Sequence, residues 1–233
     1  MYIVSNVTCK FHERTISSMQ FISDEYGNGT LASDIRSRVF KGVNGLDMHF
    51  LEAGYGDVGR PLLLLLHGFP ELAYSWRKVI SPLAKSGYHV VAPDQRGFGR
   101  TIGGDSTYTQ DLFSYGRINL ARDILGLVFA LGYSSVECII GHDSGAGVAG
   151  WASLIRPDVF KSLILMSAPF SGAPSIPFDT QGDTSKNLIQ PDTIIDDLAL
   201  LSRPRKHYAL DYYRTSHAND DMTKSAQGLR SFI

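Results

Sequence analysis

The sequence predicts an α/β domain whose mostly parallel sheet is covered by helices on both faces. Three observations carry that prediction. Four short runs are continuously apolar: "PLLLLL" at 61–66, "YHVVAP" at 88–93, "VECIIG" at 136–141 and "SLILMSA" at 162–168. A strand buried on both faces reads as such a run, not as an alternation of polar and apolar residues. The segments between the runs have helical spacing, and strands alternating with helices assemble parallel sheets. The 233 residues, 43% hydrophobic and 19% charged, are enough for one sizeable core.

From the N-terminus, residues 1–34 show no sustained period and include the turn-like "DEYGNGTLASD", which predicts a loose arm ahead of a core at 35–168. In "SRVFKGVNGLDMHFLEAGYG" two strand-like runs flank an Asn-Gly pair, the signature of a leading antiparallel hairpin. In "SYGRINLARDILGLVFALG" residues Ile118, Ala121, Leu125 and Val128 share one predicted helix face, and Gly132 closes the pattern. Val148, Trp151, Ala152 and Ile155 repeat that spacing before Pro157, predicting a second core stripe. Beyond Pro169 the texture turns rich in Pro, Gly and Ser and then helical, in "IIDDLALL" and "HYALDYYRTSHANDDM". Residues 169–233 therefore read as an insertion.

The formal net charge is −1 and the Lys and Arg residues are scattered, so no basic field marks a nucleic-acid or anionic-lipid partner. Cys9 and Cys138 follow no metal-binding spacing, and no metal is expected. No apolar run approaches the roughly 18 residues of a membrane span. The first residues turn polar before a signal-peptide core could form, which makes the cytosol the default expectation.

The stretch "CIIGHDSGAGVAGW" at 138–151 reads as strand, sharp turn, helix. A strained turn of this kind needs small residues two before and two after the one it presents. Centred on Asp143 those flanks are Gly141 and Gly145; centred on Ser144 they are His142 and Ala146. The spacing selects Asp143. A carboxylate is already anionic at neutral pH and can displace a leaving group at sp³ carbon, forming an alkyl ester. Water activated by a histidine then opens the ester, with the oxyanion held by backbone N–H groups. The expected substrate is an alkyl electrophile, and no cofactor is needed.

"HGFPE" at 67–71, "YSWR" at 74–77, "DQRGFGRT" at 94–101 and "GHDSG" at 141–145 together resemble the α/β-hydrolase fold and, within it, the epoxide hydrolases. The resemblance runs from about residue 36 to the end. It implies Asp143 as nucleophile and the N–H groups of Phe69 and Ser144 as oxyanion hole, with a cis Phe69-Pro70 bond aiming the Phe69 N–H into the site. It implies that Trp76 lines or packs the pocket, that His67 and His142 shape the loops, and that Asp94 and Arg96 pair to brace the loop beside the turn. Residues 169–233 would be a partial lid, in which Tyr208 donates a hydrogen bond to the departing alkoxide and Tyr212 follows one helical turn on, toward the substrate. The expected substrate is a small apolar epoxide, opened to a vicinal diol.

In that family the base histidine, its orienting acid, a second lid tyrosine and the closing strands lie C-terminal to the lid. The matching pattern here stops inside the lid, at "GLRSFI". The expectation is a C-terminally truncated chain with an open sheet edge, whose Asp143 ester is not hydrolysed; neither His207 nor His217 sits where the base belongs. Three other readings remain: a haloalkane or haloacid dehalogenase-like enzyme, which also uses a turn aspartate; a serine esterase acting through Ser144; and a non-catalytic remnant that binds a small apolar ligand or a partner subunit.

Overall fold

The computed structural model describes residues 26, 27, 29–104, 112–170, 172, 194–205, 220 and 224. The chain divides into two compact units, Met1–Gly172 and Ala173–Ile233. In the first unit the order is β1 (Arg36–Val43), β2 (Leu46–Ala53), β3 (Leu62–Leu66), α1 (Arg77–Lys85), β4 (His89–Pro93), α2 (Arg117–Ala130), β5 (Cys138–His142), α3 (Ser144–Ile155) and β6 (Leu163–Met166). In the second unit, α4 spans Ile194–Ala199.

The six strands form one sheet in the order β1-β2-β4-β3-β5-β6. β1 and β2 pair antiparallel, as do β2 and β4, and the remaining pairs are parallel. The hairpin turns on Asn44 and Gly45, at φ 49° and 82°, the two positive values that an Asn-Gly turn supplies at least strain.

Side-chain alternation explains the five consecutive leucines of β3. Leu62, Leu64 and Leu66 face a core closed by Ile124 and Leu127 of α2 and Val148 and Ala149 of α3. Leu63 and Leu65 face the other way, against Trp76 and against Ile80 and Ala84 of α1. A strand buried on both faces has no polar position to give.

Two helix stripes differ from expectation. The first turn of α2 buries nothing, so its packing face is Ala121, Ile124, Leu127 and Val128, and Ile118 is 56% exposed. In α3, Val148 and Ala152 are buried, whereas Ile155, the last helical residue, is exposed. Spacing finds the helix; how far the sheet extends beneath it decides which turn packs.

At the other side of the sheet, β6 has no outer neighbour among the described residues, and Ile164, Leu165 and Met166 are exposed. No described helix is long and apolar enough to cross a membrane.

Buried polar side chains tie the antiparallel strands to the parallel ones. Glu52 of β2, with no exposed surface, accepts hydrogen bonds from Arg36 Nε at 2.6 Å, Arg38 Nη1 at 2.8 Å and His89 Nε2 at 2.8 Å. Burial alone would raise its carboxyl, but the bonds from His89 and Arg38, then the Arg38 charge and Arg36, outweigh it and hold it at about 2. Because the folded value lies below the unfolded one, this stabilisation is complete above about pH 4.5 and is lost as pH falls toward 2. Its full size is roughly 3 kcal/mol. In acid unfolding curves Glu52→Gln is expected to be less stable than wild type at pH 7 yet to lose this slope between pH 4.5 and 2; parallel curves for the two proteins would remove Glu52 as the titrating group.

The expected Asp94–Arg96 pair does not form, and each residue finds another partner on its own side of the sheet. Asp94 accepts from His49 Nδ1 at 2.7 Å and from the N–H groups of Ala73 at 2.8 Å and Arg100 at 3.0 Å. Arg96 instead forks onto Asp123 of α2, with Nε at 2.8 Å and Nη2 at 2.7 Å. The loop is braced from both sides, by two acids.

Candidate active site

β3 and β5 are parallel neighbours in the sheet, so the loop leaving one and the turn leaving the other emerge side by side. The loop after β3 carries His67, Gly68, Phe69 and Pro70, with a cis Phe69-Pro70 peptide. The turn after β5 is a single residue: Asp143 has φ 50° and ψ −120° before α3 begins at Ser144. A non-glycine residue at positive φ is strained. The strain is held by the Asp143 N–H, which donates to the Met166 carbonyl of β6 at 3.0 Å, and by its carbonyl, which accepts from the Ala146 N–H at 3.0 Å.

The flanking glycines leave no alternative. A Cβ on Gly141 would lie 2.4 Å from the Gly145 carbonyl oxygen, and one on Gly145 would lie 2.4 Å from that of His67 and 2.6 Å from that of Leu66. Helix α3 therefore packs its first turn directly on the backbone of β3.

The Asp143 carboxylate points into a pair of backbone donors. The Phe69 N–H donates to Oδ1 at 3.0 Å, and the Ser144 N–H and hydroxyl also bond to the carboxylate. Partial burial would raise its carboxyl; the Phe69 and Ser144 N–H groups, with the His142 ring and the Ser144 hydroxyl, more than reverse that and hold it below the ordinary carboxylate value. At neutral pH the group is an anion with Oδ1 already on the Phe69 N–H and the Ser144 donors beside the carboxylate.

Both histidines of the loops hold partners, His67 through both ring nitrogens and His142 through Nδ1. His67, with no exposed surface, accepts the Gln95 N–H at Nε2 (3.1 Å), so Nδ1 carries the proton and donates to the Gly68 carbonyl at 2.8 Å. Burial lowers its pKa, against the Gly68 bond and the Asp94 and Glu71 charges, and it is a neutral strut of the loop. His142 Nδ1 lies 2.8 Å from Glu71 Oε2, and the Gly68 N–H reaches the same oxygen at 3.4 Å. Glu71 is a site residue that the reading of the sequence passed over, although it is the fifth letter of "HGFPE". Arg117 is another: its Nη1 donates to the Ser144 carbonyl at 2.5 Å, and only the fold brings α2 beside the start of α3.

Phe69 is 39% exposed, at the mouth of the cradle. Trp76 packs in the core on the α1 face, 8% exposed, with its Nε1–H buried and unpartnered among the described residues. Tyr208 and Tyr212, together with His207 and His217, lie outside the described residues. Among the described residues no group of three or more His, Cys, Asp and Glu side chains is arranged to hold a metal ion.

A family model for the alpha/beta hydrolase fold matches residues 61–224. The epoxide hydrolase of Caballeronia sordidicola is 40% identical over 128 residues, covering 55% of this chain and 36% of that protein. Epoxide hydrolase 3 of Siraitia grosvenorii is 42% identical over 137 residues, covering 58% and 40%. The chain thus spans about two fifths or less of the length of these curated relatives. Among solved structures, potato (Solanum tuberosum) epoxide hydrolase I superposes with TM-score 0.53 at 38% identity, over 61% of this chain and 43% of that one. An epoxide hydrolase from Vigna radiata gives 0.54 at 35% identity, over 76% and 53%.

Proposed function

The chain belongs to the alpha/beta hydrolase fold family, and from that premise we propose that it acts on epoxides through an alkyl ester on Asp143, on the way to a vicinal diol. The observation that carries this reading is the Asp143 carboxylate itself, an anion presented by a strained turn and held by the N–H groups of Phe69 and Ser144.

In the first step the carboxylate oxygen not held by Phe69 attacks one ring carbon from behind its C–O bond. That bond breaks and its electrons pass to the ring oxygen, which takes a proton from a hydroxyl donor. Tyr208, with Tyr212 beside it in sequence, is the proposed source. In the second step water adds to the ester carbonyl carbon of Asp143. The resulting oxyanion occupies the same two-donor cradle, and its collapse releases the diol and restores the carboxylate. The imidazole that deprotonates the water is sought outside the described residues: His49, His67 and His89 spend both ring nitrogens on other partners, and His142 is tied through Nδ1 to Glu71 of the neighbouring loop. The names of the relatives favour an epoxide over an alkyl halide as electrophile. The proposed setting is the cytosol.

The test is intact-mass spectrometry of the chain after incubation with styrene oxide in ¹⁸O-labelled water, followed by peptide mapping. The expected result is one equivalent of adduct on Asp143 or, where the ester is hydrolysed, ¹⁸O in the Asp143 carboxylate. An adduct on Ser144, or neither adduct nor label at either residue, would overturn the reading.

A further inference from the structure

Two cavities lie end to end in the groove between α2 and α3, and Asp143 and Phe69 line neither. The larger, of about 400 Å³, has Phe113, Ile118 and Trp151 as its walls, with Arg117, Arg122 and Asn119 around them. The smaller, of about 180 Å³, shares Ile118 and Arg122 and continues the groove past Leu125 and Ile155. A volume of this order suits a small organic ligand. The apolar walls are open to solvent: Phe113 is 82% exposed.

The charges along the groove are unequal. Among the described residues, no acidic side chain lines either cavity. Arg156, at the far end, is neutralised by Asp158 at 2.6 Å. Arg117 spends one N–H on the Ser144 carbonyl, a neutral acceptor, and has no ion-pair partner among the described residues. Arg122 has no ion-pair partner among the described residues. Arg117 and Arg122 both line the larger cavity, Arg122 at its junction with the smaller one, and from that junction an apolar run continues along Leu125 and Ile155.

We propose that this groove binds a single-chain anionic amphiphile, its carboxylate between Arg117 and Arg122 and its hydrocarbon tail along the α2–α3 seam. Guanidinium groups match a carboxylate in charge and in fork geometry, and the tail covers apolar surface that water otherwise wets. The same Arg117 guanidinium holds the carbonyl of the residue next to Asp143, so occupancy bears on the strained turn through a single side chain.

The experiment is calorimetric titration of the full chain with decanoate below its micelle concentration, and with decanol as the uncharged match. Saturable one-to-one binding is expected for decanoate, tighter than for decanol by about tenfold, the size of one charge-assisted contact. Arg122→Glu is expected to erase that preference while leaving decanol unchanged. Ile118→Glu is expected to weaken both ligands by about tenfold or more, since it sets a carboxylate in the apolar wall. Both positions are exposed, so thermal melts should match wild type. No saturable uptake, equal affinity for acid and alcohol, or a decanoate preference that survives Arg122→Glu would each overturn the proposal.

Discussion

Asp143→Asn is expected to abolish alkylation by styrene oxide, with the rate of adduct formation falling by at least about 10⁴-fold. An amide offers no anionic oxygen to the ring carbon, and the proposed reaction has no other nucleophile at the turn. The fold should be spared. Asn is one of the few side chains that accept positive φ, and its amide oxygen can take the Phe69 N–H in place of Oδ1. The wild-type rate should also be flat across neutral pH, because the backbone donors hold the carboxyl below its ordinary value and the anion is fully formed well before pH 7. Two readouts keep chemistry and folding apart: adduct mass for the reaction, the melting curve for the structure. A variant that melts like wild type and still gains one equivalent at wild-type rate would move the nucleophile elsewhere.

Gly145→Ala is expected to cost about 3 kcal/mol or more and to lower the melting temperature by roughly 6–12 °C. The new methyl would sit 2.4 Å from the His67 carbonyl oxygen and 2.6 Å from that of Leu66, backbone atoms at the end of β3, where Leu66 pairs with Gly141 of β5. Neither can swing aside as a side chain could, so α3 must lift from the sheet. Helix propensity pulls the other way, favouring Ala by about 1 kcal/mol, and is outweighed. Gly126→Ala in α2 is the internal comparison: its Cβ would meet the Val43 Cγ1 methyl at 3.2 Å, a side-chain atom, and the Asn44 backbone nitrogen at an ordinary 3.9 Å, and the variant should be neutral or slightly more stable. If both variants melt alike, the close approach of α3 to β3 is not what holds the turn.

Much of this architecture is legible in the sequence wherever the deciding physics is local. Five leucines in a row, one of several such runs separated by helical spacing, read as a strand covered on both faces, and Asn44-Gly45 announces its hairpin through two positive φ values. The position of the strained turn is legible for the same reason, since Gly141 and Gly145 are needed within two residues of Asp143 whatever surrounds them. Partner choice is a different matter. Asp94 and Arg96 stand two apart and carry opposite charges, yet the acid goes to His49 and two backbone N–H groups and the base goes to Asp123. That outcome is set by which helix covers which face of the sheet, information that two neighbouring letters do not contain. Glu71 and Arg117 escape notice likewise, because their importance lies in reaching His142 and the Ser144 carbonyl across the fold.

The turn at Asp143 also has a place in time. Its φ of 50° is unfavourable for a free chain, and what holds it comes from far along the sequence: β3 beside β5, and the Met166 carbonyl of β6. Contacts so distant close late in folding, after the local helices have formed. Until then residue 143 is an ordinary aspartate in a flexible segment, without the Phe69 and Ser144 donors that set its ionisation. The donor-held carboxylate thus comes into being with the central sheet, once the parallel strands β3 and β5 have met.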